Sequence, residues 1–345
     1  MALRFRPAFV LILGVCIVSG ETLAGSRAKY AGEFLAIGVG GRALGLGSAY
    51  VALANDVTAG YWNPAGLAHL QYPQVTFMHD ERFSGLVNYD YAAAAMPLGA
   101  MSSIAFSAIR LGVDNQANTR DAWTDANGNG VIESNELDYS RISYFNTSDW
   151  ALYFSYARKA GDNISYGANI KLIRRDLSDA SATGLGFDVG AQYAFNDRFA
   201  VGVNIQDVTT TFLAWNTGTN EFITPTLKLG SAYFIDAFEG RFAPAIDVDL
   251  RFENRQSASN AHLGPVSFDF HGGMEFNYRN ILAVRAGMSD LGQLTAGTGI
   301  HLPKFDIDYS FAKFDGENQI GNTHRISLTF TLQAEQFARK TATTE

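Results

Sequence analysis

Asn163-Ile164-Ser165-Tyr166-Gly167-Ala168-Asn169-Ile170-Lys171-Leu172-Ile173-Arg174 is the stretch that decides the fold class. In an extended chain Ile164, Tyr166, Ala168, Ile170 and Leu172 share one face, and Ser165, Gly167, Asn169 and Lys171 share the other. The pattern recurs. In 241–253, Ile246, Val248, Leu250 and Phe252 oppose Asp247, Asp249, Arg251 and Glu253. In 266–278, Val266, Phe268, Phe270, Met274 and Phe276 oppose Ser267, Asp269, His271, Glu275 and Asn277. In 325–332, Ile326, Leu328, Phe330 and Leu332 oppose Arg325, Ser327, Thr329 and Thr331. A soluble β-sandwich alternates too, but its strands average about five or six residues. Runs of about ten residues suit a tilted bilayer crossing, and charges on a regular polar face suit a wet lumen.

Extended outward, the reading gives fourteen strands near 73–80, 86–97, 102–111, 146–160, 163–174, 182–195, 198–207, 225–236, 241–253, 266–278, 280–289, 292–301, 303–313 and 321–332. The expected fold is all-β, a transmembrane antiparallel barrel over 73–332. Its links alternate. Short turns fall at 97–101, 160–163, 196–197, 236–240, 278–280 and around Pro303. The other links are 80–85, 112–145, 175–181, 207–224, 254–265, 290–291 and 315–321, most of them longer. Short turns belong at the periplasmic end of such a barrel and long loops outside. Tyr156, Tyr193, Phe195, Phe199, Tyr233, Phe234, Phe276 and Tyr278 sit near the short turns, where an interfacial aromatic girdle is expected.

Composition agrees. The chain is 47% hydrophobic and 13% aromatic, yet its mean hydropathy is −0.02. A helical membrane protein would be far more apolar, whereas a barrel presents only alternate strand residues to lipid. Beyond the N-terminus no apolar run reaches eighteen residues. Residues 1–24 read as a secretory signal: Arg4 and Arg6, an apolar core from Ala8 to Val18, and a small residue at Ala24. Cleavage there would remove two positive charges and one negative, taking the formal charge from −8 to −9. It would also remove Cys16, the one cysteine, and with it any thiolate chemistry or disulfide. A mildly acidic chain lacks the basic footprint of a nucleic-acid binder.

Residues 25–72 break the alternation. Gly38, Gly40, Gly41, Gly45 and Gly47 are followed by Ala49, Ala52 and Ala54. Asn63-Pro64-Ala65-Gly66-Leu67 has the form of a helix start, with Asn as the cap and Pro in the first turn. Small residues permit close backbone packing, so this segment is expected to line or plug the barrel lumen. A tail, 333–345, follows the last strand.

Gly38-Val39-Gly40-Gly41-Arg42-Ala43-Leu44-Gly45-Leu46-Gly47-Ser48-Ala49, then Ala52-Leu53-Ala54-Asn55-Asp56 and Tyr61-Trp62-Asn63-Pro64-Ala65-Gly66-Leu67-Ala68, resembles the N-terminal region of the PorV/PorQ family. That family is related to FadL-type outer-membrane transporters, which share the Asn-Pro-Ala element. Asp308-Tyr309-Ser310-Phe311 and Gly321-Asn322-Thr323-His324-Arg325-Ile326-Ser327-Leu328 resemble the family's closing hairpin. The resemblance implies a fourteen-stranded outer-membrane barrel with its N-terminal segment in the lumen. It implies a non-enzymatic component or accessory of protein secretion and surface attachment, partnered by secretion-system proteins or secreted cargo. The FadL side of the kinship implies instead a channel for hydrophobic small molecules. A structural or adhesive surface barrel is the third reading.

One stretch carries metal chemistry. Asp125-Ala126-Asn127-Gly128-Asn129-Gly130-Val131-Ile132-Glu133-Ser134-Asn135-Glu136 fills the twelve-residue calcium-loop pattern. Asp125, Asn127 and Asn129 supply side-chain oxygens, Val131 a carbonyl, and Glu136 a bidentate carboxylate. Two neutral asparagines put the expected affinity at about 10⁻⁴–10⁻³ M, suited to ordering an outer loop near 112–145. Asp269, His271 and Glu275 share a strand face as a possible polar lumen cluster. The glycine-rich 38–47 run lacks the Lys-Ser/Thr ending of a phosphate loop.

Overall fold

The computed structural model describes residues 32–83, 85–253, 255, 258–313 and 322–340. The expected signal at 1–24, the start of the luminal segment at 25–31, the link at 315–321 and tail residues 341–345 lie outside these. No helix among the described residues is long and apolar enough to cross a membrane.

Fourteen antiparallel strands close into a barrel. They are β1 (Gln74–Arg82), β2 (Val87–Leu98), β3 (Ser102–Asn118), β4 (Ser143–Lys159), β5 (Ile164–Leu177), β6 (Ala180–Asn196), β7 (Phe199–Gln206), β10 (Thr226–Tyr233), β12 (Gly240–Arg251), β14 (Val266–Tyr278), β15 (Leu282–Met288), β16 (Leu294–Leu302), β17 (Phe305–Ala312) and β18 (Thr323–Thr331). Four short strands decorate them: the hairpin β8 (Thr211–Trp215) and β9 (Asn220–Ile223), then β11 (Ile235–Ala237) and β13 (Ala261–Leu263). Closure is made by β1, which pairs β2 on one side and β18 on the other, from Gln74↔Thr331 to Glu81↔His324. A closed wall leaves no edge strand with unpaired backbone groups.

The alternation explains the register. Thr76, Asp80, Asn169, Lys171, Asp247, Asp249, Asp269, Glu275, Arg285 and Arg325 point inward and are buried. Phe154, Ile170, Leu172, Ile246, Phe270, Met274 and Phe330 point outward and are 41–61% exposed. The exterior is therefore the apolar face and the interior the polar one, the inverse of a soluble barrel.

The links also sort by end. Both β1 and β18 meet the rest of the chain at the short-turn end, where turns such as 99–101, 197–198 and 303–304 lie. Aromatics gather there: Phe242 stacks on Phe276 at 4.3 Å, Phe305 packs tilted against Phe330 at 4.8 Å, and Tyr193 meets Phe195 edge-on at 4.8 Å. At the other end the structure corrects two expected links. The 175–181 link shrinks to Ser178-Asp179, because β5 and β6 keep pairing to Leu177↔Ala180. The 112–145 loop shrinks to 119–142, because β3 and β4 continue to Asn118↔Ser143 past a bulge at Val113/Gln116. The 207–224 link is not irregular either: β8 and β9 fold as a hairpin that adds to β6.

Candidate functional site: the luminal hatch and the cavity beside it

Residues 32–70 fill the interior. They form short turns of helix rather than a long one: Glu33–Ala36, Gly41–Gly45, Ala59–Trp62 and Pro64–His69. Glycines at 38, 40, 45 and 47 deny this stretch a continuous helix, and tertiary packing supplies the order that propensity does not. Nearly every residue from Gly38 to Ala68 is buried. Asn63 caps the last helical turn, its side-chain oxygen accepting from the Ala65 amide at 3.2 Å while its amide donates to the carbonyls of Val51 (3.0 Å) and Ala191 (3.1 Å). Pro64 opens that turn, and Ala65, Gly66 and Leu67 are fully buried.

Two features of the wall receive this hatch. The first is absence of side chains. Wall glycines Gly273 and Gly287 are cross-strand partners, and a Cβ on either would run into the Leu46 backbone. Gly167 and Gly190 are likewise partners and take Asn63-Pro64, a Cβ on Gly167 falling 2.5 Å from the Pro64 carbonyl carbon. The second is charge. Asp247 accepts from the Tyr50 amide (2.6 Å) and the Val51 amide (2.8 Å) through one carboxylate oxygen. Arg42 reaches Glu275 with two bonds, at 2.9 and 3.0 Å. Glu275 also accepts from Arg285 (2.6 Å), which donates in turn to Asp308 (2.6 Å). On the hatch, burial pushes the Tyr50 phenol up, so it donates to Asp56 (2.6 Å) while accepting from Arg42 (3.0 Å). Paired, hydrogen-bonded charges are the form in which buried ions are tolerated.

A cavity of about 480 Å³ remains between the hatch and the long-loop end. Phe34, Ile37, Leu44, Tyr61, Trp62 and Leu291 give it an apolar lining. Around them stand ion pairs: Arg82 and Arg325 on Asp80 (3.1 and 3.0 Å), Arg251 and Arg255 on Asp269 (3.5 and 3.4 Å), and Lys228 on Asp249 (2.5 Å). Its size falls in the range of small-molecule sites, about 300–1,000 Å³.

The sequence-picked cluster is inward but does not converge. Asp269 goes to the arginines, and Glu275 to Arg42 and Arg285. His271 contacts the Gly47 carbonyl (3.0 Å) and lies 3.5 Å from Asp249. Among the described residues no three His, Cys, Asp or Glu side chains gather as a metal site. Arg42, Asp247, Arg285 and the wall glycines escaped the sequence reading as site residues. Glycines on the polar face of alternating strands, such as Gly167, Gly190, Gly273 and Gly287, were the available signal, since they mark close approach of another backbone.

The 119–142 loop holds the calcium pattern in a closed turn. Asp125 accepts from the amides of Gly128 (2.7 Å), Asn129 (3.1 Å) and Gly130 (3.0 Å). Asn129 accepts from the Val131 amide at 2.7 Å, and Asn127 from the Asn129 amide at 2.9 Å. Glu136 folds back, accepting from Trp123 Nε1 (3.2 Å) and the Ala126 amide (3.1 Å). Gly128 and Gly130 have φ of 73° and 69°, a conformation glycine adopts without strain.

Residues 15–186 match the model of an uncharacterised protein family, UPF0164. Two UPF0164 proteins of Treponema pallidum (strain Nichols) are similar, one 29% identical over 188 residues and the other 26% over 159. These matches take in 53% and 46% of this chain, and the chain spans 53% and 36% of the length of the two relatives. Among solved structures, the CymD monoaromatic hydrocarbon channel aligns with a TM-score of 0.56 at 14% identity, covering 86% of this chain and 98% of its own. The Ralstonia pickettii toluene transporter TbuX gives 0.54 at 12%, covering 85% and 98%. A Pseudomonas aeruginosa FadL homologue gives 0.51 at 12%, covering 84% and 98%. At such identities these likenesses speak for the fold alone.

Proposed function

We propose that this chain is a non-enzymatic outer-membrane channel for small hydrophobic or amphipathic molecules. The cavity beside the hatch takes the molecule, and displacement of the hatch lets it pass. The observation that carries the reading is that cavity, half aromatic and aliphatic, half ion pairs, at the long-loop end of a wall whose exterior is apolar. The solved barrels of similar fold described above include channels and transporters of monoaromatic hydrocarbons, which supports the same reading. Protein secretion rests on the PorV/PorQ resemblance of 38–68 and 308–328 and has no counterpart in the cavity.

Trp62 lines the cavity and donates to the Val39 carbonyl at 2.9 Å, so its fluorescence reports occupancy. Titrating the purified barrel with toluene and with octanoate is expected to give saturable quenching. Leu44→Phe, which narrows the cavity without adding a second indole, should weaken it. Absence of saturable quenching with either probe would refute the reading.

The 125–136 loop is proposed to take calcium through Asp125, Asn127, Asn129, the Val131 carbonyl and Glu136, and to order the outer loop. The turn brings Glu136 back against the start of the loop that holds Asp125, Asn127 and Asn129, and Gly130 supplies the sharp turn at the sixth position that such a loop uses. Calcium is then expected to raise the thermal midpoint of the wild type and not that of Glu136→Gln. Equal shifts for both proteins would remove the site.

A further inference from the structure

The apolar exterior is not equally tall all round. On β14, outward apolar or glycine positions run from Val266 to Tyr278, and on β12 apolar ones run from Phe242 to Phe252. At a rise of about 3.4 Å per residue and a tilt of about 40°, the β14 run is about 31 Å tall. On β1 the outward run Val75–Phe77 stops at His79, and on β3 the run from Ile104 to Ala108 stops at Arg110. The same geometry leaves runs of about 5 and 10 Å there, with His79 and Arg110 about 10–16 Å above the first outward apolar residue of their strands.

Register sets the interruptions side by side. His79 pairs with Asp90, Asp90 with Arg110, and Arg110 with Trp150. His79 Nδ1 is 2.7 Å from Asp90, and Nε2 is 3.5 Å from Glu81. Arg110 lies 3.6 Å from Asp90, 3.2 Å from Asp114 and 6.0 Å from the Trp150 ring. Its guanidinium folds over Gly112, away from the apolar residues. Just below is an outside crevice floored by Ala92 and Ala108, recessed because both side chains are small, with Phe77 and then Leu328 along one side. Charges on a lipid-facing wall cost more the deeper they sit. This cluster sits at about half the height that the β14 side allows, so something polar must meet it.

We propose that this notch is a phospholipid site that takes an ethanolamine headgroup, with one acyl chain in the Ala92–Ala108 crevice. The inference rests on the outer-membrane reading above. The cluster carries both signs, as that headgroup does: its phosphate faces Arg110 and its ammonium faces Asp90, Glu81 and the Trp150 ring. A purely anionic headgroup would meet three carboxylates (Glu81, Asp90 and Asp114) against one permanent cation. The drawn-down headgroup also relieves the mismatch, since a bilayer thins beside a short belt.

The test places the full chain in nanodiscs of equimolar phosphatidylethanolamine and phosphatidylglycerol, then counts retained lipid by native mass spectrometry. Wild type is expected to retain the ethanolamine lipid with about fivefold enrichment, the size a half-exposed ion pair allows. Arg110→Gln and Asp90→Asn should each lose it while keeping the heat-modifiable mobility of a folded barrel. Equal retention of the two lipids, enrichment that survives both substitutions, or a lipid-free dimer cross-linked through the β1–β3 face would overturn the site. A chain that never enters the nanodisc, and shows no heat-modifiable form, would instead overturn the membrane reading on which the site stands.

Discussion

Asp247→Ala should loosen the hatch without opening the wall. Asp247 sits on β12, 1% exposed, and one of its oxygens receives the amides of Tyr50 and Val51 at 2.6 and 2.8 Å. Truncation removes that shared acceptor and leaves two amides facing a site too enclosed for free hydration. Hydrogen bonds to a charged acceptor contribute about 1.5–3 kcal/mol each, and a small water in the vacated space recovers part of that. The net loss is then about 3 kcal/mol of hatch docking, or roughly 150-fold in its opening equilibrium. The β12 ladder to β10 and β14 runs through backbone groups and is untouched. Hydrogen exchange resolved to peptides should therefore speed up by about that factor across 42–57 and stay unchanged across β12 and β14. Asp247→Asn, which keeps an acceptor oxygen, should show about a tenfold effect. Uniform exchange changes over hatch and wall, or no change at Tyr50 and Val51, would refute the reasoning.

Other outcomes follow from the same contacts. Gly287→Val places methyl groups in the Leu46 backbone, and overpacking of this kind costs about 1–3 kcal/mol or more; the hatch should become sensitive to protease while the barrel keeps its heat-modifiable band. Ile246→Arg puts a charge on the outward face of β12, where Ile246 is 61% exposed, and should destabilise the bilayer-inserted form by about 2–4 kcal/mol in denaturant titration. The same substitution at Phe238, in a short turn, should cost under about 1 kcal/mol. Arg339 donates to the carbonyls of Leu70, Ala100 and Ser102 and to the Ser103 hydroxyl at 2.7–3.2 Å, tying the tail to the hatch exit and the β2–β3 turn. Arg339→Ala should lower the opening free energy read by hydrogen exchange at 70–73 by about 1–2 kcal/mol and leave the long-loop end unaffected.

The wall was legible because its signal is short-range. Side chains two residues apart share a face whatever lies opposite, so Ile164 to Leu172 or Val266 to Phe276 announce their orientation without knowledge of a partner strand. Strand ends were less legible. Pairing at Leu177↔Ala180 and Asn118↔Ser143 is decided by the neighbouring strand, and Ser178 and Asp179 read equally well as part of a longer loop. The hatch could be recognised as something other than wall, but its path could not be drawn. Gly38 to Gly47 carries no period, and the partners that fix it are remote: Tyr50 and Asp247 are 197 residues apart, Arg42 and Glu275 233. Glu275 and His271 were picked out as neighbours on one strand, yet their chemistry is set by Arg42, Arg285, Asp249 and the Gly47 carbonyl, which only closure of the barrel brings to them. The polar notch on β1–β3 was hidden for the same reason. His79, Asp90 and Arg110 each look like an ordinary strand end until register aligns them.

On the proposed function, small molecules cross this barrel only when the hatch moves. Gly60 on the hatch faces Ser155 on β4: a Cβ on Gly60 would lie 3.8 Å from the Ser155 Cβ. That separation suits a disulfide, whose Cβ atoms stand about 3.5–4.5 Å apart. The decisive measurement is uptake of labelled octanoate into liposomes carrying the Gly60→Cys, Ser155→Cys barrel. Oxidation is expected to stop saturable uptake and reductant to restore it, with the single-cysteine barrels unaffected by either. Uptake at the same rate with the hatch cross-linked and with it released would contradict the account.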